Sequence, residues 1–274
     1  MFSEVVVKYL RLQQIKKLSD GQGLVSYTTK DNLIVLSANK VLRDPQDNKL
    51  KRKLGVSLCS GCGVKCLYCF TNKLKCFRPL FASEIVEQVD VVLGQITDER
   101  MFDEVKISFK QMGDPLLNIS VIEAIKLLHR QYPNFNFVVS TSGPKINQHL
   151  FSKLQDLGVN IRLQFSCHTM SDKERRFLSP KIPMMTLEEI SQVVNSWNGG
   201  MVTLNFVMLK GFEYSVNKLK QIFDPDRVFI KVNYLDDNSQ LKKHGLYNMP
   251  TKEVTSFTKA LQKNGFQYAF RNVS

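Results

Sequence analysis

From residue 83 onward the apolar positions alternate between two periods. Segments 83–96, 119–131, 146–157, 187–197, 216–223 and 251–263 place apolar residues every three or four positions, as helices with one buried face require. Between them, 104–109, 136–140, 160–165, 201–208 and 227–233 are short apolar runs bounded by turn residues, and a shorter run at 55–58 precedes the first helix. Strands alternating with helices in this way specify parallel pairing through right-handed crossovers. The pattern predicts an α/β chain whose six units suit an open, partial (β/α)6 barrel of the TIM-like kind. A doubly wound sheet is the competing arrangement, but no Gly-x-Gly-x-x-Gly follows the first strand.

Upstream, 23–29 and 32–36 read as two β segments joined by Lys30-Asp31, a small hairpin. The stretch 44–53 is polar and rich in turn residues, which predicts a linker. The expected organisation is therefore an N-terminal β extension with a basic linker over 1–53 and a core domain over 54–274.

Composition adds three constraints. Hydrophobic residues make up 43% of the 274, enough for one large core. No apolar run reaches the roughly 18 to 20 residues of a membrane span, and residues 1–18 mix Lys and Arg among their aliphatics, so the reading is a cytoplasmic protein with no membrane partner. Six cysteines without a signal peptide fit a reducing compartment rather than disulfides. The net charge of +13 says more, because a field of that sign draws polyanions, nucleic acid first among them. A Lys-rich composition alone would also produce a basic surface.

The chemistry concentrates in Cys62-Gly63-Val64-Lys65-Cys66-Leu67-Tyr68-Cys69, three thiols in eight residues. Three closely spaced thiolates suit three irons of a cubane 4Fe-4S cluster and leave the fourth iron open, whereas electron-transfer clusters are closed by four. Structural zinc is the rival, since Cys59-x2-Cys62 and Cys66-x2-Cys69 look like two half sites. Only three residues separate those halves, where a zinc site usually leaves a dozen or more. A non-catalytic, metal-containing RNA-binding protein is the corresponding alternative to an enzyme.

In barrel enzymes the working face is built by the loops after the strands. The cysteine loop follows the first predicted strand of the core, Gln111-Met112-Gly113-Asp114-Pro115 the second and Ser140-Thr141-Ser142-Gly143 the third. Ser166-Cys167-His168 follows the fourth, and Asn238 follows the sixth. Taken alone, a Gly-Asp-Pro is a common turn and a serine near a helix start is more often a cap.

The cysteine loop resembles the signature of the radical S-adenosylmethionine (SAM) enzymes. The resemblance narrows to the branch that methylates adenine in ribosomal and transfer RNA, including its resistance relatives, and it extends over about 57–271. It is carried by Met112-Gly113-Asp114-Pro115-Leu116-Leu117-Asn118, Ser140-Thr141-Ser142-Gly143, Ser166-Cys167-His168 and Asn233-Tyr234-Leu235-Asp236-Asp237-Asn238. It implies a 4Fe-4S cluster on Cys62, Cys66 and Cys69, and SAM held by Tyr68, Gly113, Asp114, Pro115, Ser140, Ser166, His168 and Asn238. It also implies the partial barrel, reductive cleavage of SAM, RNA as a partner, and an electron donor such as flavodoxin or ferredoxin.

Two departures qualify the likeness. That branch methylates through a cysteine near its C-terminus and a resolving cysteine seven residues before the cluster loop. Here the sequence ends Arg271-Asn272-Val273-Ser274, and Gly55 stands at the resolving position. Two-cysteine methyl transfer is therefore not expected unless a partner supplies a thiol, and a protein or small metabolite stays open as substrate. Cys59, Cys76 and Cys167 are spare thiols, Cys59 the first candidate, catalytic if their pKa is lowered and structural if they are buried. Lys49, Lys51, Arg52, Lys53, Lys65, Lys73, Lys75 and Arg78, interleaved with Tyr68, Phe70 and Phe77, suggest a face for phosphates and stacked bases, with Lys173, Arg175 and Arg176 extending it.

Overall fold

A computed structural model describes residues 8–17, 22–43, 47–74, 77–94, 102–235 and 239–271. The chain divides into two compact units, one of residues Met1–Gly63, Leu74–Ser140 and Ser152–Ile161, the other of Val64–Lys73, Thr141–Phe151 and Arg162–Ser274.

In the first unit, β1 (Leu10–Lys17), β2 (Gln22–Thr29), β3 (Ile34–Arg43) and β4 (Leu50–Val56) pair antiparallel in chain order. Strands β5 (Glu104–Phe109) and β6 (Asn136–Thr141) then continue from β4 in parallel. Helices α1 (Ala82–Leu93) and α2 (Ser120–Gln131) pack on each other. The expected hairpin is present as β2 and β3. Strand β1 escapes the sequence pattern because its register slips between Leu12 and Gln14, which breaks the period-two alternation a strand normally shows.

The expected linker needs correction: residues 50–53 belong to β4. Their charges are satisfied inside the sheet. Arg52 is buried, donating from Nε to Asn39 Oδ1 at 3.0 Å and from Nη2 to the Val92 carbonyl at 3.0 Å, with its guanidinium over the Phe102 ring. Lys51 pairs with Asp47 at 2.9 Å and Glu104 at 3.6 Å.

The second unit holds β7 (Ile161–Ser166), β8 (Val202–Val207), β9 (Val228–Asn233) and β10 (Gln267–Arg271), all parallel. Between them run α4 (Asp172–Leu178), α5 (Leu187–Ser196), α6 (Val216–Ile222), α7 (Ser239–Lys243) and α8 (Thr251–Lys263), and α3 (Leu150–Gln155) precedes β7 in the chain. The predicted α/β alternation is thus observed, with six strands from β4 to β9 each followed by a helix before the next strand. Helix α4 was not predicted, although Ser171-x-x-Glu174 carries a helix-start signal: the Ser171 side chain accepts from the Glu174 N–H. Strand β10 is short and largely exposed, so it has little apolar pattern to read.

Candidate functional site

Every described motif lies at or just after the C-terminal end of its strand. In the first unit the Leu58 and Cys59 N–H groups both donate to the Met112 carbonyl, at 2.8 and 3.1 Å. The Asn118 amide donates to the Leu58 and Leu80 carbonyls at 2.6 and 2.8 Å, while its oxygen accepts from the Ser120 N–H. Segment 112–118 is thereby stitched to the start of the cysteine loop. Asp114 is buried and caps the 3-10 turn Pro115–Leu117, accepting from the Leu116 N–H at 3.0 Å.

Gly113 is required on two counts. Its φ of +90° is costly for any residue with a side chain, and a Cβ there would lie 2.6 Å from Cys59 Sγ. Gly55 is enclosed as well. It pairs with Ala38 and Ser108 on the flanking strands, and a Cβ on it would sit 3.0 Å from Gln111 Oε1. The Gln111 carboxamide thus fills the space beside the position where the resemblance expects a resolving thiol. Cys62 and Ser140 are half-buried.

The second unit carries the rest of the cysteine loop. Cys66 is buried and Cys69 half-buried, and the turn between them closes through Cys69 N–H to the Cys66 carbonyl at 3.1 Å. Tyr68, inside that turn, places its hydroxyl 2.6 Å from His168 Nε2, with the rings edge to face. His168 is buried, has φ of +66° and leaves Nδ1 without a hydrogen-bond partner among the described residues. Burial, with the nearby Arg175 cation, pushes its pKa down to about 3, so the imidazole is neutral at physiological pH. A left-handed backbone and an unsatisfied buried nitrogen on one residue make His168 a candidate ligand contact.

Arg175 holds this loop from beneath. It is buried, and its guanidinium reaches the carbonyls of Ser166 at 3.3 Å, Cys167 at 3.0 Å, Ser142 at 3.2 Å and Met185 at 3.3 Å. Ser166 ends β7 half-buried, and the N–H groups of Cys167 and His168 share the Asn205 carbonyl. Leu67 and Tyr68 pack against a buried cluster of Leu178, Val207, Leu209, Leu241 and Leu246, which keeps water from that side of the turn.

The spare thiols have the wrong environment for a nucleophile. Burial pushes Cys59 up to about 12, with the Asp114 carboxylate adding to the effect, and pushes Cys167 up to about 11. Three cations of the expected basic face are also committed elsewhere. Arg52 and Arg175 are buried as described, and Arg78 is bound to Asp31 and Glu84, each at 2.8 Å. Sequence reasoning missed Ser179, whose buried hydroxyl lies 3.3 Å from Cys66 Sγ, because nothing local marks a serine that sits 113 positions from its partner. Asn238, Lys75 and Cys76 lie outside the described residues.

None of the five described cysteines forms a disulfide. Among the described residues no three His, Cys, Asp or Glu side chains gather as ligands of a single ion would. No helix among the described residues is long and apolar enough to cross a membrane.

A probable dual-specificity RNA methyltransferase RlmN of Chlorobium phaeobacteroides (strain DSM 266 / SMG 266 / 2430) is 29% identical over 256 residues, 88% of this chain and 67% of that protein. A dual-specificity RNA methyltransferase RlmN of Buchnera aphidicola subsp. Cinara cedri is 30% identical over 80% of this chain and 64% of that protein. The chain thus spans about two thirds or less of the length of these relatives. A radical SAM methyltransferase from Sphaerobacter thermophilus superposes with a TM-score of 0.77 at 19% identity, covering 96% of this chain and 77% of that one, which shows the fold. The queuine lyase from Clostridium spiroforme, solved with SAM and queuine, gives 0.54 at 12% identity over 84% of this chain and 94% of that one. Residues 56–215 match the Radical SAM superfamily, and with the motifs from Cys62 to His168 inside that span, the chain belongs to this superfamily.

Proposed function

We propose that this protein holds a 4Fe-4S cluster on Cys62, Cys66 and Cys69 and SAM against Tyr68, Gly113, Asp114, Pro115, Ser140, Ser166, His168 and Asn238, and that it modifies a base in RNA. When bound there, the cluster would supply the single electron for reductive cleavage of SAM, the source of the radical chemistry on the substrate. The chemistry of the donor set fits: three thiols outside any disulfide for the cluster, and a buried imidazole nitrogen on His168 that lacks a partner among the described residues for SAM.

The observation that carries this reading is the turn from Cys66 to Cys69, whose central tyrosine anchors His168. Whichever of the two shares its proton across that bond, the neutral His168 keeps Nδ1 for a polar group of the ligand, and the pairing offsets the cost of leaving that nitrogen buried. Arg175 fixes the loop that carries Ser166 and His168, so the contacts are preset before SAM arrives. The apolar cluster behind Tyr68 excludes water from the side of the turn it covers.

RNA as the substrate class is supported by the net charge of +13 and by relatives named as RNA methyltransferases. Electrons would come from a small donor such as flavodoxin or ferredoxin in the cytoplasm. Methyl transfer resolved by a thiol at position 55 is not part of this proposal, because glycine stands there with Gln111 packed above it.

The test is anaerobic. The cluster is reconstituted, reduced with dithionite and given SAM, and 5′-deoxyadenosine is quantified beside a Cys62→Ala control. We expect product from the parent alone and a larger yield when total RNA is added. A parent protein that takes up four irons yet makes no 5′-deoxyadenosine, with or without RNA, overturns the proposal.

A further inference from the structure

Helix α4 meets the cysteine turn at two successive positions. The Leu67 N–H donates to the Leu178 carbonyl at 2.9 Å, and Cys66 Sγ lies 3.3 Å from Ser179 Oγ. Cys66 and Ser179 are both buried, at 7% and 5% exposure, whereas Cys62 and Cys69 are half-buried. Ser179 terminates α4, its own N–H returning to the Arg175 carbonyl at 3.1 Å, so the hydroxyl is held in place by the helix end rather than by a free loop. One of the three sulfurs therefore has a dry hydrogen-bonding neighbour on a rigid support.

Between a thiol and a hydroxyl such a bond runs in either direction. An iron-bound sulfur carries no proton, so the direction is then settled: only Ser179 has a hydrogen to give. We infer that Ser179 is a positioning residue that donates an O–H···S bond to Cys66 and raises the reduction potential of the cluster. This rests on the cluster assignment proposed above. A donor aimed at the sulfur stabilises the reduced cluster, which carries one more negative charge, more than the oxidised one. Reduction adds one electron from the external donor. No covalent bond forms or breaks at Ser179, and its proton stays on oxygen.

The decisive experiment compares the reconstituted parent, Ser179→Ala and Ser179→Thr, with iron and sulfide counted first and the cluster then titrated redox-potentiometrically by EPR. At a fixed poise the ratio of reduced to oxidised cluster should fall about tenfold in Ser179→Ala, equivalent to about 59 mV for a one-electron couple. Ser179→Thr, which keeps a hydroxyl, should stay near the parent. Equal potentials for parent and Ser179→Ala at equal iron content overturn the role of Ser179 and leave the cluster assignment standing. Failure of the parent itself to bind iron overturns both. Should Ser179→Ala not hold a cluster, proton ENDOR on the reduced parent in light and heavy water decides the matter. An exchangeable proton coupled to the cluster supports the bond, and its absence overturns it.

Discussion

The hydroxyl of Tyr68 lies 2.6 Å from Nε2 of His168, joining two residues 100 positions apart. One comes from the cysteine turn and the other from the loop after β7, so this single bond links the proposed cluster ligands to the proposed SAM contacts. Tyr68→Phe keeps the ring and removes the bond. His168 would then have neither nitrogen paired among the described residues, at a cost of about 1–3 kcal/mol. We expect SAM to bind about tenfold more weakly with iron content unchanged, measured by isothermal titration under anaerobic conditions. Unchanged affinity would remove the pair from SAM binding.

Gly113→Ala should be among the most damaging small substitutions. It places a Cβ at φ +90° and 2.6 Å from Cys59 Sγ, and strain plus overpacking amount to about 2–5 kcal/mol. Urea denaturation reads the loss directly. Adding Cys59→Ala relieves only the Sγ contact, because Cys59 Cβ at 2.8 Å and its backbone nitrogen at 3.0 Å still crowd the new methyl, so a full rescue by the double variant would argue against both the strain and the crowding.

Arg175→Lys is predicted to be poorly tolerated despite keeping the charge. One ammonium cannot reach the four carbonyls that the guanidinium spans, and losing hydrogen bonds to a buried cation costs about 3 kcal/mol. The expected result is a fall in thermal midpoint together with weaker SAM binding, because the Ser166 and His168 loop loses its support. A wild-type midpoint would show that the contacts are replaceable.

Alkali should destabilise the fold well before it affects an average surface. The Cys59 thiol titrates near 9.0 when exposed and near 12 in place, so its contribution is complete below pH 9 and drains away as pH rises toward 12. Cys167, Tyr27 and Tyr214 are shifted upward by burial in the same way and add to the slope. The melting temperature should fall as pH rises from 9 toward 12. In cluster-free protein at pH 8, iodoacetamide followed by mass spectrometry should label Cys62 and Cys69 while Cys59 and Cys167 react only after unfolding. Labelling of Cys59 in the folded chain would reopen its candidacy as a nucleophile.

Much was written in local pattern. The helix and strand periods place α1, α2, α5, α8 and the strands β5 to β9, because burial of one face leaves its period in the chain. The thiol spacing of Cys62, Cys66 and Cys69 and the Met112 to Asn118 motif were also readable, since each is a contiguous word. Strand β1 was lost to a bulge, and residues 50–53 of β4 were hidden because their charges are neutralised by partners the sequence does not mark.

Tertiary structure alone decided the roles of individual side chains. Arg52, Arg78 and Arg175 looked like contacts for phosphate and are ion pairs or buried braces. Cys59 and Cys167 looked like spare nucleophiles and are buried thiols whose surroundings disfavour the thiolate. Tyr68 with His168, and Cys66 with Ser179, become neighbours only when α4 and the loop after β7 close on the cysteine turn. The physical reason is range: periodicity and spacing record what a residue owes to its near neighbours in the chain. Desolvation and hydrogen bonding are set instead by whatever the fold brings within a few ångströms.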